Sequence, residues 1–295
     1  MKFLTYKQGE TCAPGLLDST GEMIIPFAAL GLDYRCMNDF ISRATEKDLV
    51  VLAAAVSSPP AGCIPYKEAG KEAPIPQPRQ DIICLGYNYL DHIKETTKLR
   101  GTASTEPPEH AIYFSKRVNH ALPDGGEIQA HPALDEQLDY EAELAVIIGR
   151  DAKNVPADKV RDYIFGYTIV NDVSARVLQR RHKQFYFGKS LDGFIPMGPW
   201  IVTADEFDVF PPRLAVSSYV NGELRQDSNT SHMLFDIPHI ISELSSGMTL
   251  LAGTIIATGT PSGVGMGFDP PRFLKAGDSV ECVIEGIGRL RNTVV

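Results

Sequence analysis

The chain has 295 residues, a formal net charge of −9, 43% hydrophobic residues and 22% charged residues. It is long and apolar enough to bury a sizeable core unaided, which excludes a disulfide-framed miniprotein and a disordered chain. The acidic balance argues against a nucleic-acid partner, whose phosphates call for Lys and Arg. No run nears the roughly 18 apolar residues of a membrane helix, so no membrane partner is expected.

Division by about 150 residues per domain allows two domains, or one large domain with a small appendage. Residues 1–75 read as a small α/β unit, with strand character at 2–7 and 23–27. Helix-like spacing runs over 37–56, with a start signal at Thr45-Glu46-Lys47-Asp48. Pro59, Pro60, Pro65, Pro74, Pro76 and Pro78 make 58–80 an extended connector. Residues 76–295 then form a β-rich domain. Its first strand is predicted at 82–85 and a short helix over 88–98. A polar, mobile loop follows at 99–110. Further strands are predicted at 138–148 and 165–170, with a short helix between them at 158–163. Asn221-Gly222 signals a hairpin. An amphipathic helix over 235–244 starts at Asp236, and strands follow at 254–258 and 280–284. Five scattered cysteines without a CxxC read as free thiols, an expectation of a reducing cytoplasm.

Five segments carry residue types suited to chemistry. In Asp139-Tyr140-Glu141-Ala142-Glu143-Leu144, strand spacing puts Glu141 and Glu143 on one face. Two adjacent carboxylates are costly without a cation between them, so the pair is either a solvated face or a divalent-cation site. Asp172, where a strand ends in Asn171-Asp172, either caps a following helix or adds a third oxygen ligand. Three carboxylates without Cys or His favour Mg²⁺ or Mn²⁺ over zinc. His92 and Glu95 share a helix face at i, i+3. They form either a surface pair or a dyad in which the carboxylate orients a basic imidazole. Gly188-Lys189-Ser190 is not a phosphate loop, because position 183 holds Lys where that loop needs Gly. Finally, the Gly-rich stretch 258–265 is either a structural turn or a cradle of amides, with the Thr260 hydroxyl, for a carboxylate.

Taken in order, the stretches GYNYxxHxxE, DYExEL, GYTIVNDVSAR, GKSxDxFxPMGP and TGTPxGVG resemble the fumarylacetoacetate hydrolase family, from about residue 81 to the C-terminus. The resemblance implies a mixed, β-rich fold: a β-sandwich or roll as catalytic domain over 76–295. The small α/β part at 1–75 resembles the variable N-terminal part of bacterial and mitochondrial members. It also implies Mg²⁺ or Mn²⁺ held by Glu141, Glu143 and Asp172, and a His92–Glu95 dyad on a lid helix. Lys189 would meet the substrate and its developing enolate. Thr260 would meet the substrate carboxylate, and Gln179 and Lys116 would contact the substrate. A homodimer is implied too, for which the apolar stretch 197–200 is the chain's own hint. Two departures are visible. Val177 follows Arg176 where the family often has Asp. Cys84-Leu85-Gly86-Tyr87 lacks the extra acidic ligand of fumarylacetoacetase itself, which places the chain in the three-carboxylate branch.

The implied activity is metal-dependent hydrolysis of a C–C bond in a small anionic 2-oxo acid, acylpyruvate-like, through a metal-stabilised enolate, with the dyad activating water. The alternatives are a decarboxylase or isomerase of a β-keto acid and, in another class, a non-catalytic metal-stabilised binding protein.

Overall fold

The computed structural model describes residues 1–100 and 106–295, the side chains of 8 and 97–100 excepted. Part of the loop expected at 99–110, residues 101–105, lies outside the described residues. The fold is mixed and β-rich, as the family resemblance implies. The larger sheet runs in the order Ile64–Pro65, Met23–Pro26, Thr11–Leu17, Lys2–Gln8, Met197–Thr203, Ile164–Asn171, Ala142–Ile148, Ile255–Ala257, Ile82–Gly86 and Ile112–Lys116. The smaller runs Glu223–Asn229, Ala215–Val220, Ser279–Ile284, Gly288–Val294 and Glu127–Ile128. The N-terminal residues share the larger sheet through Lys2↔Val202 and Phe3↔Ile201. Phe3, Phe40 and Ile75 also share a core with Ile82, Ala145 and Val170.

Ala142–Ile148 is buried along its whole length. That is how an interior strand covered on both faces reads in sequence, as an apolar run rather than an alternation. It pairs antiparallel with Ile164–Asn171, with Ala142 opposite Asn171. The expected strand at 138–148 is broken: Leu138–Asp139 leaves to pair with Ser174–Ala175. Glu141 therefore sits in the kink between two strands. The helix expected over 37–56 also divides, into Met37–Arg43 and Glu46–Ser57. Thr45 restarts it with a capping box: its side chain accepts the Asp48 N–H, and Asp48 accepts the Thr45 N–H.

The apolar stretch 197–200 is no surface patch. Met197–Thr203 is an interior strand paired on both sides, and Met197 is fully buried. Its apolarity is explained by the core. Asn221 (φ 52°) and Gly222 (φ 82°) turn the Ala215–Val220/Glu223–Asn229 hairpin, as the Asn-Gly signal implies. Ile237–Gly247 is a helix whose N-cap, Asp236, accepts from the His239 N–H at 2.9 Å. No helix of the described residues is long and apolar enough to cross a membrane.

Candidate active site

Glu141, Glu143 and Asp172 converge where the two central strands begin and end. One carboxylate oxygen from each lies within 4.8 Å of the others, a group that could hold a metal ion. The backbone closes the group, since the Asp172 N–H donates to the Glu141 carbonyl at 2.9 Å. Asp172 caps no helix: the helix Arg176–Arg181 has Ala175 at its N-cap, without a side-chain cap. Its carboxylate instead turns inward to two lysines. Lys189 Nζ bridges Asp172 Oδ2 at 2.6 Å and Glu141 Oε2 at 2.7 Å. Lys116 Nζ donates to Asp172 Oδ1 and, at 2.8 Å, to the Val173 carbonyl.

These contacts set the proton affinities. Burial alone would raise Glu141, but the Lys189 and Arg176 cations outweigh it and hold its carboxyl well below the usual range. Burial lowers Lys189, and Asp172 and Glu141 outweigh that to raise it. Glu143 goes the other way: burial, then the charges of Asp172 and Glu141, push its carboxyl well up. It accepts the Gly259 N–H at 2.8 Å and forms no ion pair among the described residues. A buried carboxylate without a countercharge is what a bound cation would satisfy. With oxygen donors only, the group suits a hard ion.

Above this floor stands the helix Leu90–Arg100. His92 and Glu95 are on its inner face, with Nδ1 of His92 3.3 Å from Glu95 Oε2. This is the geometry of an oriented imidazole rather than a surface pair, because His92 is only 5% exposed. The other Glu95 oxygen accepts the Gly263 N–H at 2.9 Å. Tyr87 stacks on His92, with ring centroids 6.1 Å apart. Its φ of 56° is uncommon for a bulky side chain, and such backbone gathers at functional sites. Asn88 anchors the base of the helix. It donates to the Phe235 and Thr258 carbonyls and accepts the Phe235 N–H.

Between helix and floor is a cleft that leaves about 30 Å³ for solvent. His92, Glu141, Arg176, Gln179, Lys189 and Thr260 line it, with apolar walls from Phe114 and Phe185. Opposed residues thus meet in one cleft: the His92 imidazole, the Glu141 edge of the carboxylate group, and the positive charges of Arg176 and Lys189.

Residues 81–295 match the family described as fumarylacetoacetate (FAA) hydrolase C-terminal. The chain belongs to the fumarylacetoacetate hydrolase family. It is 48% identical over 227 residues to the oxaloacetate tautomerase YisK of Bacillus subtilis, covering 77% of this chain and 73% of that protein. A fumarylacetoacetate hydrolase from psychrophilic Exiguobacterium antarcticum shares its fold with a TM-score of 0.84 at 39% identity, covering 100% of this chain and 99% of that one. The maleylpyruvate hydrolase of Sphingobium sp. SYK-6, solved with manganese(II) and pyruvate, has a TM-score of 0.78 at 30% identity, with 100% and 99% covered.

Against the family pattern, Gln179 is in the cleft, with its Oε1 accepting from Arg176 at 3.1 Å. Thr260 also lines the cleft, but its hydroxyl donates to the Ala142 carbonyl at 2.9 Å and accepts from Gln226 at 2.7 Å. Its proton is thereby already engaged. Lys116 does not line the cleft and stands behind Asp172, fully buried. Two residues were not singled out from sequence. Arg176 pairs with Glu141 at 2.7 Å and with Asp139 at 2.9 Å. Asp139 in turn accepts the N–H groups of Tyr140, Gly265 and Met266. Their partners are far apart in sequence, so no local spacing signals them.

Proposed function

We propose that the chain is a divalent-cation-dependent enzyme acting on a small anionic 2-oxo acid, and that its chemistry is proton transfer beside the 2-oxo group. The observation that carries this is the placing of the His92–Glu95 dyad across one cleft from Glu141 and Lys189. Glu141, Glu143 and Asp172 would hold Mg²⁺ or Mn²⁺. When bound, the cation supplies Lewis-acid polarisation of the 2-oxo acid oxygens and offsets negative charge.

In the hydrolytic form, Glu95 holds the imidazole through Nδ1, and His92 takes a proton from water. Hydroxide adds to the distal carbonyl of an acylpyruvate-like substrate. The bond to the neighbouring carbon breaks and leaves its electron pair there as an enolate. The imidazolium returns the proton to that carbon. Lys189 stabilises the developing charge with an N–H fixed in place beforehand, which is where such groups act most. Arg176 and Gln179 add donors on the same wall. The likeness to YisK favours a second form on the same residues: His92 takes a proton from the carbon beside the ketone, the C–H electron pair moves into the enolate, and a proton from the imidazolium or solvent ends on the enolate oxygen, giving keto–enol exchange of an oxaloacetate-like dianion. The chain is further proposed to form a homodimer, to be tested by sedimentation velocity.

The test is a Mg²⁺- and Mn²⁺-dependent activity panel on acylpyruvates and oxaloacetate, with wild type, His92→Ala and Glu141→Ala. Both variants are expected to lose turnover. Full activity of Glu141→Ala at every Mg²⁺ concentration would sink the cation assignment. Decarboxylation surviving in His92→Ala while hydrolysis fails would assign oxaloacetate cleavage to the floor alone.

A further inference from the structure

Glu95 makes two bonds at once: Oε2 faces His92, and Oε1 accepts the Gly263 N–H. The turn that receives it is shaped for that carboxylate. A Cβ on Gly267 would stand 1.8 Å from Glu95 Oε1 and 2.0 Å from its Cδ. Gly267 is not in the left-handed region, so its backbone does not demand glycine. What demands glycine is the space, and the Glu95 carboxylate fills it. The turn is itself tied down. Asp139 accepts the Gly265 and Met266 N–H groups at 2.6 and 3.0 Å, and the Tyr140 hydroxyl donates to the Gly263 carbonyl at 2.8 Å. Through Arg176, the same Asp139 reaches Glu141.

We propose that the turn 263–267 is the seat of the dyad helix and that Gly267 is a positioning residue, holding Glu95 where it can orient His92. This rests on the reading of His92–Glu95 as the proton-transferring dyad. Gly263 is a poor probe, since a Cβ there meets the Arg225 carbonyl oxygen at 2.0 Å and φ is +100°, so the fold itself would suffer. Gly267→Ala is a clean one. The three heavy atoms nearest its Cβ all belong to the flexible Glu95 side chain, which can swing away.

The experiment measures turnover of oxaloacetate and of an acylpyruvate with Mg²⁺ for wild type, Gly267→Ala, Glu95→Ala and the double variant. Amide hydrogen exchange over residues 93–96 is followed alongside. Gly267→Ala is expected to lower kcat about tenfold or more, up to the roughly 10²–10⁴-fold that a whole acid–base group contributes, with KM little changed. In the Glu95→Ala background it should cost nothing further, because the two act as one unit. Wild-type kcat in Gly267→Ala, or the same loss with Glu95 already gone, overturns the proposal. Should Glu95→Ala keep full turnover, the dyad reading falls and hydrogen exchange decides the seat alone. Equal loss of protection in Gly267→Ala and Glu95→Ala, no greater in the double variant, upholds it, and unchanged protection overturns it.

Discussion

Replacing Glu143 by Gln should stabilise the protein without divalent ions and weaken it with them. Glu143 is 1% exposed and lies beside two other carboxylates. Its carboxyl is pushed well up, by burial first and then by Asp172 and Glu141. The sign follows from linkage. In the folded state it keeps a proton that the unfolded chain releases near pH 4.3, so stability falls as pH rises from there to the folded value. Each pH unit in that window costs about 1.4 kcal/mol. Glutamine removes the charge, and its carbonyl can still accept the Gly259 N–H. In EDTA near pH 8 the variant should therefore melt higher than wild type, by about 3–6 °C for each pH unit of the window crossed. The advantage should vanish near pH 4. With Mg²⁺ at 100 times its Kd, wild type gains about 2.7 kcal/mol, and the variant, short of one donor, gains less. Calorimetric melts at several pH values, in EDTA and in Mg²⁺, read both signs. A variant less stable than wild type in EDTA near pH 8, or an equal Mg²⁺ shift in both proteins, would refute the reasoning.

Three further outcomes are expected. Arg176→Leu leaves Asp139 fully buried without its cation, although three backbone N–H groups still serve it. Breaking a buried pair costs about 3–5 kcal/mol, and those amides keep it near 3, visible as a Tm lower by roughly 6–12 °C. An unchanged Tm would mean the pair adds nothing. Asp39 is held below the usual carboxylate range by the Arg35 N–H first and then by Arg43. Its stabilisation is present above the ordinary value near 3.9 and is lost as pH falls through the lower folded value. Asp39→Asn should therefore show its full deficit in urea at neutral pH and none in strong acid, and a deficit constant with pH would contradict the shift. Gly222→Val meets nothing within 4 Å but holds φ +82°. Urea unfolding should show a loss of about 1–2 kcal/mol from the left-handed backbone alone, and a neutral result would count against that turn geometry.

Much of the fold was legible wherever burial is two-sided. The runs at 142–148 and 164–171 are mostly apolar, Glu143, Thr168 and Asn171 apart, and both are interior strands. Thr11–Leu17 carries no strand expectation of its own, Pro14 and Gly15 interrupting its pattern. In the sheet, Gly15 is where Ile24 and Tyr6 press in, a Cβ there falling 2.8 Å from Ile24. Met197–Thr203 was misread for a related reason: an apolar run does not say whether its cover is the same chain or another. At the site, the types and spacing of Glu141, Glu143, His92 and Glu95 announced themselves, although Glu141 reaches the group from a kink and not from a regular strand. Asp139 and Arg176 stayed silent. Their partners lie 37 and 126 residues away, and such contacts exist only after folding.

The net charge of −9 counts every ionisable residue, the buried Glu141, Glu143 and Asp172 included, and the cleft follows a different account. Glu141, Glu143 and Asp172 meet two lysines, Lys189 in the cleft and Lys116 behind it, while Arg176 and Asp139 offset one another. Without a cation Glu143 keeps its proton and the group balances; ionised, as a ligand must be, it adds one negative charge that meets no ion pair among the described residues. Lys189 already takes oxygens of Glu141 and Asp172, so a divalent ion must share those carboxylates with it. A site so loaded would carry one net positive charge. In a cleft this small, that excess calls for an anionic ligand, because an unpaired buried charge is costly. On the proposed function, a bound cation would thereby set the sign of charge that a substrate must carry. Whether that acid is then cleaved or tautomerised turns on whether water can stand beside His92 once the acid is seated.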